Sequence, residues 1–123
     1  MLPIRVLLID DNSKFLDAAT YFLSTEPRLE VVGCAPSGNE GLQEAFRLQP
    51  DLVLLDVLLP DINGLEVAHR LKTQANGARV VMMSLSHTSE YSDIARVVGV
   101  EACICKSEFG TRLLPLICTL FDR

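Results

Sequence analysis

The stretch VLLIDDN, residues 6–12, runs four apolar residues straight into two adjacent carboxylates, Asp10 and Asp11. A strand-length run with no polar alternation reads as a strand buried on both faces, as in a parallel sheet covered by helices. The full segment IRVLLI (4–9) has four counterparts: EVVGC (30–34), LVLL (52–55), RVVMM (79–83) and ACIC (102–105). Between them lie helical periods. Phe15, Leu16, Ala19, Phe22 and Leu23 recur at three and four, and Ser37-x-x-Glu40 forms a capping box ahead of Leu42, Ala45 and Phe46. Leu65, Ala68 and Leu71 mark a third helix, and Tyr91, Ile94, Ala95 and Val98 a fourth. Five βα units in alternation predict an α/β fold: a five-stranded parallel sheet flanked by five helices, in the commonest five-stranded order, 2-1-3-4-5. Pro115, inside TRLLPLICTLF, predicts a late start for the last helix, with Thr111 as its N-cap.

With 49% hydrophobic and 22% charged residues in 123, the chain has the material for one cored domain, 1–123. The net charge of −5, with 11 Lys and Arg that form no run, argues against direct nucleic-acid binding. No run of about 18 apolar residues offers a membrane span. The start MLPIRVLL is too short for a signal peptide, so the reading is cytoplasmic with no membrane partner. Cys34, Cys103, Cys105 and Cys118 lie in apolar segments without CxxC spacing and read as small core hydrophobes.

Right-handed crossovers bring the C-terminal ends of parallel strands to one edge of the sheet. The residues that close the strands are Asp10 and Asp11, then Asp56, Ser84 and Lys106. A pair of carboxylates about 4 Å apart repels by roughly 4 kcal/mol at an effective dielectric near 20. A hard divalent cation relieves this, and oxygen-only ligands select Mg2+ or a similar ion. The pair after the first strand therefore reads as a metal seat. Asp56, with an ordinary carboxyl pKa of about 3.9, is ionised at neutral pH and suited to act as a nucleophile. Ser84 can donate to one phosphoryl oxygen and Lys106 can neutralise another, so the product would be an acyl phosphate on Asp56. Ser86 rivals Ser84 if the fourth strand runs two residues longer. The bland alternative makes Asp10 and Asp11 a turn in which one carboxylate caps the first helix. His69 reads as surface and His87 as loop, neither with assigned chemistry. Leu113, Leu114, Leu116, Ile117, Leu120 and Phe121 exceed one helix face, and the excess is a candidate partner or dimer surface.

LLIDDN, DLVLLDVLLPDINGLE, VVMMSLS and GVEACICKSEF, in that order, resemble the receiver domain of two-component response regulators over essentially the whole chain. The resemblance implies a CheY-like fold in which Asp56 accepts a phosphoryl group from a sensor histidine kinase or phosphotransfer protein. It further implies Mg2+ (or Mn2+) bound by Asp11, Asp56 and the backbone carbonyl of Leu58, with Asp10 acting through water. Ser84 and Lys106 would hold phosphoryl oxygens, and Pro60 and Gly64 would shape the adjoining loop. Phosphorylation would switch an effector domain or protein, in transcription regulation for the subfamily that precedes a helix-turn-helix domain, and homodimerisation is one expected response. The chain then reads as a receiver cut from a longer regulator.

Departures from the family pattern modify these expectations. Leu85 stands where a small residue is commonest and would narrow access to Asp56. Cys103 stands where an aromatic usually swings inward, and Ser107 where many receivers carry proline. Leu58 and Ser86 flank the expected path of the hydrolytic water. Leu85 and Cys103 favour the alternative of a degenerate receiver-fold module that binds partners without efficient phosphorylation. A small phosphatase of the haloacid dehalogenase type would need an acid at Leu58, and a flavin carrier would need a phosphate-binding loop in place of the first Asp pair.

Overall fold

The computed structural model describes residues 2–74, 77–85, 93 and 96–121. Five strands, β1 (Ile4–Ile9), β2 (Leu29–Ala35), β3 (Leu52–Asp56), β4 (Arg79–Ser84) and β5 (Ala102–Cys105), form one parallel sheet in the order β2-β1-β3-β4-β5. Every predicted strand is present, and the first and last have the expected limits. The helices are α1 (Ser13–Ser24), α2 (Gly38–Leu48), α3 (Gly64–Gln74), α4, helical at 93 and 96–98, and α5 (Phe109–Phe121). Tyr91, Ile94 and Ala95, which marked the fourth helix in sequence, lie outside the described residues.

Alternation along the strands divides the apolar residues between two cores. Leu7, Ile9, Val53, Leu55, Val80 and Met82 face one side, where Ala45 of α2 and Val67, Ala68 and Leu71 of α3 cover them. Val6, Leu8, Leu52, Leu54, Val81, Met83 and Ile104 face the other, covered by Ala19 and Leu23 of α1 and Phe109, Leu113 and Ile117 of α5. Both faces of the central strands are thus sealed, which explains their unbroken apolar runs.

The final helix does not start late. A 3₁₀ turn over Lys106–Glu108 runs directly into α5 at Phe109, so both Thr111 and Pro115 lie inside one continuous helix. Phe109, Leu113 and Ile117 are spaced by four and all buried; their burial outweighs the hydrogen bond that Pro115 cannot make. The excess apolar residues of this helix, Leu114, Leu116, Leu120 and Phe121, are partly buried against the same core. The cysteines also depart from expectation. Cys34 lies exposed on edge strand β2 and Cys118 on the outer face of α5, near the Arg28 guanidinium at 3.6 Å; only Cys105 is buried, with Cys103 intermediate.

The approach of α3 to the end of β3 sets the loop beside the strand ends. Gly64 donates its N–H to the Val57 carbonyl at 3.0 Å. A Cβ on Gly64 would lie 2.5 Å from that oxygen and 2.6 Å from the carbonyl oxygen of Asp56, contacts that backbone atoms cannot relieve by rotation. Gly64→Ala is therefore expected to lower stability by about 1–3 kcal/mol in urea unfolding. Gly110→Ala, where an added Cβ meets nothing within 4 Å, should be neutral or slightly stabilising in the same assay.

Candidate functional site

Register assembles the polar strand ends. Ile9 pairs with Leu55, so Asp10 comes level with Asp56; Ser84 pairs with Cys105, so Lys106 emerges just beyond. One carboxylate oxygen from each of Asp10, Asp11 and Asp56 lies within 4.8 Å of the others. Asp10 is fully buried and Asp56 nearly so, at 6% exposure, while Asp11 is exposed. The Lys106 ammonium sits 2.6 Å from Asp10 Oδ2 and 3.5 Å from Asp56 Oδ2. Ser84, buried at the end of β4, is hydrogen-bonded through its hydroxyl to the Cys103 thiol. The five strand-end residues singled out in sequence therefore stand at one edge, with the three acids clustered and Lys106 paired to Asp10 and Asp56.

The turn reading of the Asp pair fails on the cap. Asn12, not either aspartate, caps α1, its Oδ1 accepting the Phe15 N–H at 3.1 Å. Asp10 Oδ1 accepts the Asn12 N–H at 2.9 Å, which holds the carboxylate in place under the sheet edge. Its other oxygen, Oδ2, is buried and has the Lys106 ammonium beside it at 2.6 Å as its charge partner. Three carboxylates facing one ammonium leave negative charge in excess. An all-oxygen donor set and surplus negative charge together fit a hard divalent cation.

Burial, and then the charge of Asp10, push the Asp56 carboxyl up to about 6; Lys106 and the Leu58 N–H, 3.3 Å from Oδ1, oppose the rise. The ordinary value assumed from sequence is corrected accordingly: Asp56 remains ionised at neutral pH with a narrower margin. Burial also raises the Cys103 thiol, against the pull of its bond to Ser84.

Around this centre, Leu58 and Leu85 are largely solvent-exposed, at 64% and 76%. The Leu85 carbonyl is 3.7 Å from the Cys105 thiol, which also lies 3.1 Å from the Ser107 hydroxyl. No cis peptide bond occurs among the described residues, in keeping with serine rather than proline at 107. Pro60 is exposed in the loop that Gly64 closes, and His69 is exposed on α3. Ser86 and His87 lie outside the described residues. One residue of this loop escaped the sequence reading. Asp61 accepts the N–H groups of Gly38 and Asn39, each at 2.8 Å, and those bonds, led by Asn39, hold its carboxyl below the usual range. It thereby caps α2 from the loop after β3. The only local signal was the Pro60-Asp61 turn pair, which does not name a partner 23 residues away.

The electrostatic tension at Asp56 has a stability signature. A carboxyl raised in the folded state favours folding below its unfolded pKa, and the contribution is lost as pH rises through about 6. In metal-free protein Asp56→Asn should therefore be more stable than wild type by roughly 2–3 kcal/mol above pH 7. The gap should shrink toward pH 4, as read by urea unfolding across pH.

Comparison with known proteins agrees with this geometry. Residues 6–117 match the response regulator receiver domain family. The chain is 33% identical over 118 residues to the response regulator protein VraR of Staphylococcus saprophyticus, covering 94% of this chain and 56% of that protein. It is 38% identical over 104 residues to the nitrate/nitrite response regulator protein NarL of Escherichia coli K12, covering 85% and 48% respectively. Among solved structures, a CheY-like response regulator receiver domain protein from Methanospirillum hungatei superposes with a TM-score of 0.88 at 28% identity, over 98% of this chain and 94% of that one. The chain spans about half the length of these curated relatives. With its strand-end acids and lysine on the fold that the sequence predicted, the chain belongs to the receiver domain family of two-component response regulators.

Proposed function

We propose that Asp56 accepts a phosphoryl group from a phosphohistidine of a sensor histidine kinase or phosphotransfer protein and that the modification switches an effector. The observation that carries this reading is the convergence on Asp56 of Lys106 at 3.5 Å and of the acid cluster. An Asp56 carboxylate oxygen attacks phosphorus; the new O–P bond forms as the P–N bond breaks, and the electron pair leaves with the imidazole nitrogen. Lys106, with its long flexible stem, transfers part of its charge pairing from Asp10 to a phosphoryl oxygen. Ser84 turns its hydroxyl from Cys103 toward a second phosphoryl oxygen, and that movement is the switch. Asp10, Asp11, Asp56 and the Leu58 carbonyl are the groups that would hold Mg2+ or Mn2+. Such an ion supplies charge neutralisation for the phosphoryl oxygens.

The effector is proposed to be a DNA-binding segment or partner, with the whole acting in the cytoplasm in transcription regulation. The named response-regulator relatives extend well beyond the part that this chain matches, which leaves room for such a segment, and homodimerisation is a proposed response to phosphorylation.

Intact-mass analysis after incubation with acetyl phosphate and Mg2+ tests the chemistry. A single phosphoryl adduct is expected, absent in Asp56→Asn and absent with a chelator. No adduct from either acetyl phosphate or a phosphorylated histidine donor would refute the acceptor role. The Leu58 side chain, apolar and 64% exposed beside Asp56, offers no hydrogen bond to an incoming water. Leu58→Asn is expected to shorten the phosphate lifetime a few-fold in a time course of adduct decay, whereas an unchanged lifetime would remove Leu58 from that role.

A further inference from the structure

The Lys106 ammonium has a third neighbour besides the two carboxylates: it lies over the face of Phe15, 4.5 Å from the ring centroid. The Lys106 side chain is only 10% exposed, so this contact acts with little water around it, where attraction between a cation and a ring face is strongest. The ring is held on two sides. The Phe15 backbone N–H is fixed by the Asn12 cap, and the ring packs edge-to-face with Phe109, centroids 5.3 Å apart and planes at 80°. Phe109 in turn packs on Phe22 at 5.6 Å and begins α5 directly after the 3₁₀ turn that contains Lys106. One aromatic group therefore ties the start of α1, the start of α5 and the lysine between them.

We propose that Phe15 is a positioning residue for phosphoryl uptake, its ring face holding the Lys106 ammonium over the carboxylate site. This rests on the phosphoryl-acceptor reading given above. Both carboxylate partners of Lys106 change role when a phosphoryl group arrives: Asp56 becomes an acyl phosphate, and Asp10 is drawn toward the cation seat. A carboxylate also competes with phosphoryl oxygens for the ammonium and repels them. An aromatic face attracts the ammonium without net charge, so it keeps the lysine in place before and after transfer and opposes neither state. Asn12 contributes one step further out, because its cap sets the first turn of α1 and with it the position of the ring.

The test combines a rate with a spectroscopic signature. Phosphorylation by acetyl phosphate with Mg2+ is followed by intact mass for wild type, Phe15→Leu, Phe15→Tyr and Phe22→Leu. The Lys106 side-chain Hε resonances are read by NMR in wild type and in Phe15→Leu. Phe15→Leu is expected to slow phosphorylation about three- to tenfold. Phe15→Tyr should stay within about twofold of wild type, because it keeps the ring face. Phe22→Leu, which loosens the same aromatic group without touching the lysine, should also stay within about twofold. The wild-type Lys106 Hε signals should lie upfield through the ring current and move back in Phe15→Leu. An unchanged rate in Phe15→Leu, an equal loss in Phe15→Tyr, or wild-type Hε signals at ordinary lysine positions would overturn the proposal. The last measurement requires no variant to fold. A wild type that takes up no phosphoryl group at all would instead refute the acceptor reading, and this proposal with it.

Discussion

Asp10 carries a carboxylate at a position with no solvent exposure, and a charge in that setting needs a close partner of opposite sign. The partner, Lys106 at 2.6 Å, comes from the turn after β5, an edge strand three strand spacings from β1. That separation is on the order of 14 Å at the backbone, so the pair forms only through the length of the lysine stem and the convergence of both side chains above the sheet edge. Every strand between them must be present and in register for the contact to exist. The ion pair thus depends on the whole sheet, and Asp56, from the strand between, lies within its reach at 3.5 Å.

This arrangement is tense rather than relaxed. One ammonium faces three carboxylates, and burial with the charge of Asp10 lifts Asp56 to about 6. Ordinary packing would remove such an excess; functional sites retain it and are stabilised elsewhere. Here the two cores supply that support. Sealed apolar faces on both sides of the central strands hold the acids where they repel, and the loop after β3 is fixed by Gly64 against β3 and by the bonds of Asp61 to the start of α2. The site is thereby suited to gain from whatever brings positive charge to Asp10, Asp11 and Asp56.

Much of this was legible in the chain because its signals are local or periodic. The runs at 4–9 and 102–105 have the limits of the first and last strands, since an apolar run bounded by polar or turn residues carries its own ends. Ser37 caps α2 through the Glu40 N–H, as its spacing indicated. The failures share a cause as well. The start of α5 follows from Phe109 entering a core made by α1 and β4, which outweighs the local preference of Pro115. Cys34 and Cys118 sit in apolar surroundings in sequence but on an edge strand and an outer helix face in space. Neither the bonds of Asp61 to α2 nor the contact of Phe15 with Lys106 has a sequence signature, because each joins segments far apart along the chain.

By itself, then, the sequence determined the alternation of strand and helix, the parallel sheet and the identity of the acids, hydroxyl and lysine at the strand ends. Those properties reside in runs, caps and chain direction, which neighbouring residues decide among themselves. Only the tertiary structure decided that Lys106 pairs with Asp10 more closely than with Asp56, that Asp61 holds the start of α2, and that an aromatic ring lies under the ammonium. Those outcomes depend on distances of a few ångströms between side chains brought together by register and packing, and no local pattern encodes them.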